Sequence, residues 1–292
     1  MKAPASGLKW GVERRLEFIE FRLFWEGGIN RADITDFFGV SVPQASKDLS
    51  QYQELAPGNM EYDKSEKRYF AARAFMPRFF NPDSDQYLSQ LRLLVDEIAQ
   101  PQETWLGKSP ELACMPIPHR RVDPILLRSL LTAIREERAV EILYQSMNPD
   151  RPKAIWRGIS PHAFGSDGLR WHVRAYCHMS RKFKDFLLSR CLDCRESGCA
   201  EAKPSDDRQW HETIEVKLIP NPKLSEAQRR MIAFDYNMEN NKLSIRLRKA
   251  LIYYFNKRFR FDVADVLDDP REVPVVLADK EAFDSALAEV MA

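Results

Sequence analysis

The chain has 292 residues, 44% of them hydrophobic and 30% charged, and its 44 Lys+Arg against 43 Asp+Glu give a formal net charge of +1 at pH 7. That length allows two or three domains with real cores, and the apolar content excludes a disordered chain. No run reaches the roughly 18 apolar residues of a membrane span, and Pro4, Ser6 and Gly7 have no apolar stretch behind them, so a cytoplasmic protein without a membrane partner is expected. The charge is unevenly spread: residues 120–200 hold 15 Lys+Arg and 9 Asp+Glu, a footprint compatible with a polyanion or nucleotide partner.

Residues 13–25 carry a helix pattern stopped by Gly27-Gly28. Leu16, Ile19 and Leu23 form one apolar stripe and Phe18, Phe21 and Trp25 a second. Such a helix packs against a local core plus a neighbouring domain or subunit, or lies inside one larger core. A second helix is predicted over 31–38, then the turn Gly39-Val40-Ser41, then a third over 42–55. Ser41 is its expected N-cap, and Pro43 sits in the first turn, where a missing N–H costs nothing. Residues 59–71 alternate as a β-hairpin with 63–68 at and near its tip.

Helix, glycine turn and capped helix is the helix-turn-helix arrangement, and the hairpin supplies a wing. The run from Phe38 to Leu49 resembles the turn and recognition helix of winged helix-turn-helix regulators. Ser41 and Pro43 open that helix, its N-terminal half presents Gln44, Ser46 and Lys47, and Ser50 and Gln51 follow a turn later. Gln bonds adenine edges, Ser bases or phosphates, and Lys a guanine edge or a phosphate. Lys64, Lys67 and Arg68 on the wing are expected to hold flanking phosphates. Winged helices also serve as protein-binding modules.

Pro77 and Asn81-Pro82-Asp83 mark a break before a connecting helix over 85–100, with Leu88, Leu91, Leu94 and Ile98 on one side. Residues 101–118 contain four prolines and are expected to form a flexible linker. A helix starting at Asp123-Pro124 and running to about 137 leads into short strands: 141–144, 155–160, 169–176 after the Gly165-Ser166-Asp167-Gly168 turn, and 183–188. On the strand over 169–176, Trp171, Val173 and Ala175 point one way and His172, Arg174 and Tyr176 the other, so one face packs and one is chemically equipped.

The order Tyr144, Ser160-Pro161-His162, Trp171 with an Arg three residues on, then Arg190 resembles the WYL domain, a small SH3-like or Sm-like β-barrel of bacterial transcription regulators. The match covers roughly residues 123–195 and departs at the name-giving triplet, where His172 and Val173 replace Tyr and Leu. The residues themselves suit an anion: Arg157, Arg174 and Arg190 offer forked charged donors, and Tyr144, Ser160 and His162 add neutral or switchable ones, with Trp171 beside them. A phosphodiester is the economical ligand. Alternatively Trp156 and Trp171 are core residues and the arginines a solvated face.

Five cysteines without a secretion signal argue against disulfides. Cys191, Cys194 and Cys199 have a spacing that allows zinc with His178 or His211 as a distant fourth ligand, but reduced structural cysteines are the simpler expectation, and no metal or cofactor is assigned. Beyond Pro204, strands over 213–219, 242–248 and 273–277 alternate with helices over 225–234, 250–259 and 280–290, suggesting a small α+β unit of ferredoxin-like type. No phosphate-cradling loop, nucleophile elbow or metal-spaced histidine pair is present, so no catalytic residues are assigned and an enzyme is not expected.

The expected whole is a multidomain α+β protein: a winged helix-turn-helix over 1–80, a connecting helix and linker over 81–119, a WYL sensor domain over 120–203 and a C-terminal dimerisation extension over 204–292. The resemblance implies a homodimeric repressor on an inverted-repeat operator of double-stranded DNA. Relief by a nucleotide or nucleic-acid effector is expected, and the resemblance further implies control of a phage-defence operon, as by WYL regulators beside BREX or CBASS systems. The rivals are an activator responding to single-stranded DNA and a zinc-assisted nucleic-acid-processing enzyme.

Overall fold

The computed structural model describes residues 9–107, 109–267 and 269–291. Two compact units divide the chain, residues 1–116 and 117–292.

The first unit opens with helix α1 (Trp10–Glu26), strand β1 (Gly28–Ile29), α2 (Arg31–Phe38) and α3 (Val42–Leu55). Local chemistry sets these ends. Gly27 and Gly39 take left-handed conformations that stop α1 and α2, Asn30 and Asp33 form a reciprocal capping box, and Ser41 accepts the Gln44 backbone N–H at the start of α3. Strands β2 (Met60–Asp63) and β3 (Arg68–Ala71) form the wing, and β3 also pairs with β1 in a three-stranded sheet. Helix α4 (Ser84–Val95) is shorter than expected. It stops near Glu97, which adopts a left-handed φ of 54°.

Both stripes of α1 find partners inside this unit. Leu16, Ile19 and Leu23 pack with Ile34, Ala45, Leu49 and Tyr52 in the helix-turn-helix core, and Phe18 joins them rather than the second stripe. Phe21 packs with Leu91 and Leu106, with Trp25 and Trp105 alongside. The stretch expected to begin a flexible linker therefore starts by packing. Thr104 and Leu106 are buried, and Trp105 sits edge-on to Phe18 and Phe21. The apolar gain of covering α1 holds residues 104–106 in place despite the neighbouring prolines.

Gly28 is where the wing presses on the sheet. A Cβ there would come within 2.7 Å of the Tyr69 carbonyl and 2.8 Å of Arg68 Nε. Gly28→Ala is expected to cost about 1–3 kcal/mol, because the first contact is backbone and cannot swing away. Thermal unfolding of the variant checks this, and an unchanged Tm contradicts it.

The second unit begins with α5 (Pro124–Arg135), capped by Asp123, and a five-stranded antiparallel sheet of β4 (Arg138–Tyr144), β5 (Ile155–Ser166), β6 (Trp171–Cys177), β7 (Lys182–Leu187) and β8 (Cys191–Cys199). The order is β7-β6-β5-β4-β8, and β5 and β6 shift register between Pro161 and Ala163. The core includes Leu126, Leu130, Ile142, Ile159, Val173, Ala175 and Phe186 under α5. The predicted cysteine cluster is a strand, β8, paired with β4. Cys191 is buried in the core and Cys199 exposed, and among the described residues no group of three His, Cys, Asp or Glu side chains is placed to hold a metal. Burial pushes the Cys191 thiol up to about 12, so it is no ready nucleophile.

The chain continues through α6 (Arg208–His211), β9 (Thr213–Pro220), α7 (Glu226–Asp235), β10 (Leu243–Arg248), α8 (Ile252–Arg258), α9 (Ala264–Leu267), β11 (Val275–Leu277) and α10 (Lys280–Met291). Its sheet has the antiparallel order β10-β9-β11, with Val216, Leu218, Ile252, Phe261 and Phe283 in the core. Among the described residues no helix is long and apolar enough to cross a membrane.

Candidate DNA-reading surface and effector site

Helix α3 is braced from within its own unit. Asp48 on its inner face is fully buried and takes two bonds from Arg15 of α1, Nε to Oδ2 at 2.6 Å and Nη2 to Oδ1 at 3.1 Å. A forked pair at low exposure fixes the rotation of one helix on the other. Gln44 joins it, its Nε2 donating to Asp48 Oδ1 at 2.9 Å, so one amide nitrogen expected to read bases is engaged. Ser41, Pro43, Lys47 and Ser50 are exposed, and Ser46 and Gln51 are half-buried.

Lys64 and Lys67 are exposed at the wing tip, where Asp63 Oδ1 accepts the Ser65 and Glu66 backbone N–H groups and shapes the turn. Arg68 does something else. Its Nη2 donates to the Gly28 carbonyl at 2.6 Å, tying the wing to β1.

The expected effector residues fall on two sides of the five-stranded sheet. Register places Arg157 opposite Ile142 and Tyr144 opposite Ile155, the core side, while Arg174 lies opposite Ala163 and Ser160 opposite Tyr176 on the other. On the core side the Arg157 guanidinium is 5.5 Å from the Tyr144 ring centroid, and its Nε and Nη2 are buried with no hydrogen-bond partner. Burying those two nitrogens without a partner is expensive, and the Tyr144 ring face offsets part of that cost. Tyr144 OH accepts the Leu187 N–H at 3.4 Å.

On the outer side, Arg174 is 3% exposed. Its Nε donates to Asp207 Oδ2 at 2.7 Å, Nη2 to Asp207 Oδ1 at 3.0 Å and to Gln209 Oε1 at 3.0 Å, and Nη1 to Asp185 Oδ1 at 3.4 Å. His162, at the register shift, points Nε2 at Asp207 Oδ2, 2.9 Å away; since that oxygen is a carboxylate acceptor, Nε2 carries the proton. Burial works against ionisation of Asp207, but the hydrogen bonds from His162 and Arg174 outweigh it and hold the carboxyl down at about 2. Burial pushes Asp185 up despite the Arg174 and His172 charges, and Tyr254 OH donates to its Oδ2 at 3.1 Å.

Ser160 belongs to a third group: Oγ accepts the Glu201 N–H at 3.0 Å and lies 2.9 Å from His178 Nε2. Trp171 is 59% exposed, and Arg190 is half-buried in the turn between β7 and β8. The seven residues thus do not converge on one face. Arg174 and His162 meet, as do Arg157 and Tyr144, and beside Arg174 opens a cleft of about 700 Å³ lined also by Lys184, Arg208 and Tyr253. Sequence reasoning missed Asp207, Asp185, Gln209 and Tyr254. Asp185 sits across from Arg174 on the neighbouring strand β7, but the others come from distant segments, and nothing around Lys203-Pro204-Ser205-Asp206-Asp207 marks it as more than a polar turn.

These domains define a class, the WYL-domain transcription regulators. Residues 11–93 match the BrxR transcriptional regulator winged helix-turn-helix domain, residues 125–196 the WYL domain and residues 213–283 the BrxR transcriptional regulator C-terminal dimerization domain. The chain is 38% identical over 284 residues to the DNA-binding transcriptional repressor CapW of Escherichia coli (strain KTE188), covering 97% of this chain and 94% of that one. CapW of Pseudomonas aeruginosa is 40% identical over 262 residues, 89% of this chain and 87% of its own, and CapW of Stenotrophomonas maltophilia 38% over 280, covering 95% and 92%. The chain belongs to the family of these CapW transcriptional repressors, which are regulators rather than enzymes.

Proposed function

We propose that the protein is a homodimeric repressor that sets one α3 of each subunit into successive major grooves of an inverted-repeat operator. A phosphate-bearing nucleotide or nucleic-acid effector then releases it from the DNA. The observation that carries the DNA part is the exposed edge of α3, with Lys47 and Ser50 outward, on a helix whose inner face is locked by Asp48 and Arg15. A two-fold dimer matches a two-fold site, and the C-terminal dimerization domain supports two copies. Ser41, Pro43, Ser46 and Gln51 line the same helix, and Lys64 and Lys67 are the wing cations for flanking phosphates; Gln44 and Arg68 serve by holding helix and wing in place.

For the effector, support comes from the cleft beside Arg174, whose volume is that of a small-molecule site and whose wall carries Lys184 and Arg208. The controlled genes are read as a phage-defence operon, and the operator places the protein in the cytoplasm.

Lys47→Ala tests the DNA part. Operator affinity in low salt is expected to fall about tenfold, and the dependence of log affinity on log salt to flatten by about one counterion. Binding by mobility shift that keeps both its strength and its salt slope removes α3 from the interface.

A further inference from the structure

We infer that Asp207 is an internal occupant of the effector site: its carboxylate fills the Arg174 fork while the sensor is empty, and a phosphate-bearing effector binds by displacing it. This rests on the effector reading above and adds how the site is kept closed.

Three of the four donors to Asp207 come from the sensor sheet, namely Arg174 Nε, Arg174 Nη2 and His162 Nε2. Two parallel N–H donors to two oxygens are the geometry in which a guanidinium grips a phosphate. The carboxylate, however, does not come from the sheet. It belongs to residue 207, which caps α6 through the Trp210 N–H at 3.2 Å, and α6 runs directly into β9 of the dimerisation domain. The donors best suited to an anionic ligand are thus held by the first residues of the segment that reports to the dimer.

Exchange keeps the pairing intact. Arg174 is too buried to be left without an anion, and removing its partner with no replacement would strand a charge in low dielectric. A phosphate supplies the two oxygens that Asp207 gives up, a terminal phosphate monoester carries more charge as well, and Lys184 and Arg208 on the cleft wall favour its approach. Asp185 stays behind on β7, held by Tyr254. Displacement frees the α6 cap, so effector binding and the grip of α6 on the sensor oppose each other. By linkage, whatever tightens that grip weakens the effector by the same factor.

The test uses the full chain and a 5′-phosphorylated thymidine dinucleotide, followed by titration calorimetry. Asp207→Asn, which keeps an acceptor for Arg174, is expected to bind the probe at least tenfold more tightly than the native protein, and Arg174→Lys at least tenfold more weakly. In the native protein, saturating probe is expected to speed hydrogen exchange at the Trp210 and His211 amides; this readout decides the matter alone should Asp207→Asn fail to fold. Unchanged affinity in Asp207→Asn with unchanged or slowed exchange at α6, while Arg174→Lys still weakens binding, overturns the internal occupant and leaves the effector site standing. Binding indifferent to Arg174→Lys, or absent from every variant, overturns both.

Discussion

Glu20→Gln is expected to lower the stability of the N-terminal unit by about 3–5 kcal/mol, the scale of breaking a buried charged network. Glu20 is fully buried in α1, and its two oxygens accept the backbone N–H groups of Arg78, Phe79 and Phe80, with Tyr52 OH donating to Oε1 at 3.0 Å. One carboxylate therefore gathers the chain after the wing onto the helix that carries the core. Gln keeps the shape but turns an NH₂ donor toward donors, stranding at least one N–H and repelling it. Because Tyr52 belongs to α3, the loss reaches the recognition helix, and DNA binding should fall with Tm. A melting curve that matches the native protein would show that these bonds contribute nothing net.

Arg174→Ala should cost the C-terminal unit a similar amount, about 3–5 kcal/mol, since it leaves the Asp207 and Asp185 carboxylates facing each other without a cation. The pair can be tested against itself. Adding Asp207→Asn to Arg174→Ala should recover stability, because one of the stranded charges is gone, whereas simple additivity would mean that the two side chains do not interact. The pH dependence has a definite sign. Asp207 is held at about 2 in the folded chain against an ordinary 3.8, so its contribution, on the order of 2 kcal/mol, is present above about pH 4 and is lost as pH falls toward 2. Denaturant titrations between pH 5 and 2 should show that loss in the native chain and not in Arg174→Ala. Asp185, pushed upward, works in the opposite sense in the native chain: its charged form costs stability that is relieved as pH falls through its raised value.

What could be read from residues alone was what depends on neighbours in sequence. Gly27, Gly39, Ser41, Pro43 and Asp123 mark helix ends through their own backbone or side chain, and those ends fall where expected. Residues 104–106 were not legible as packed structure, because Trp105 and Leu106 are held by α1 far back in the chain. Strand β8 was hidden for a related reason. It is an edge strand with most side chains half-buried or exposed, so it shows no alternation, and only its pairing with β4 defines it. At the sensor, Arg174 could be picked out as a charged residue on a strand whose other face packs. That it is already paired could not be seen, since Asp207 lies 33 residues away, beyond the last strand of the sheet.

If the chain reads a specific DNA site as a dimer, a mobility-shift titration of the full chain on DNA from just upstream of its own gene, at two stated salt concentrations and against an unrelated duplex, will show it. The expected result is one discrete complex of two subunits per site, tighter than on the unrelated duplex by at least about a thousandfold, the low end for specific DNA binders. Equal binding to both duplexes that disappears at the higher salt would contradict it, leaving only the non-specific attraction of lysines for phosphate.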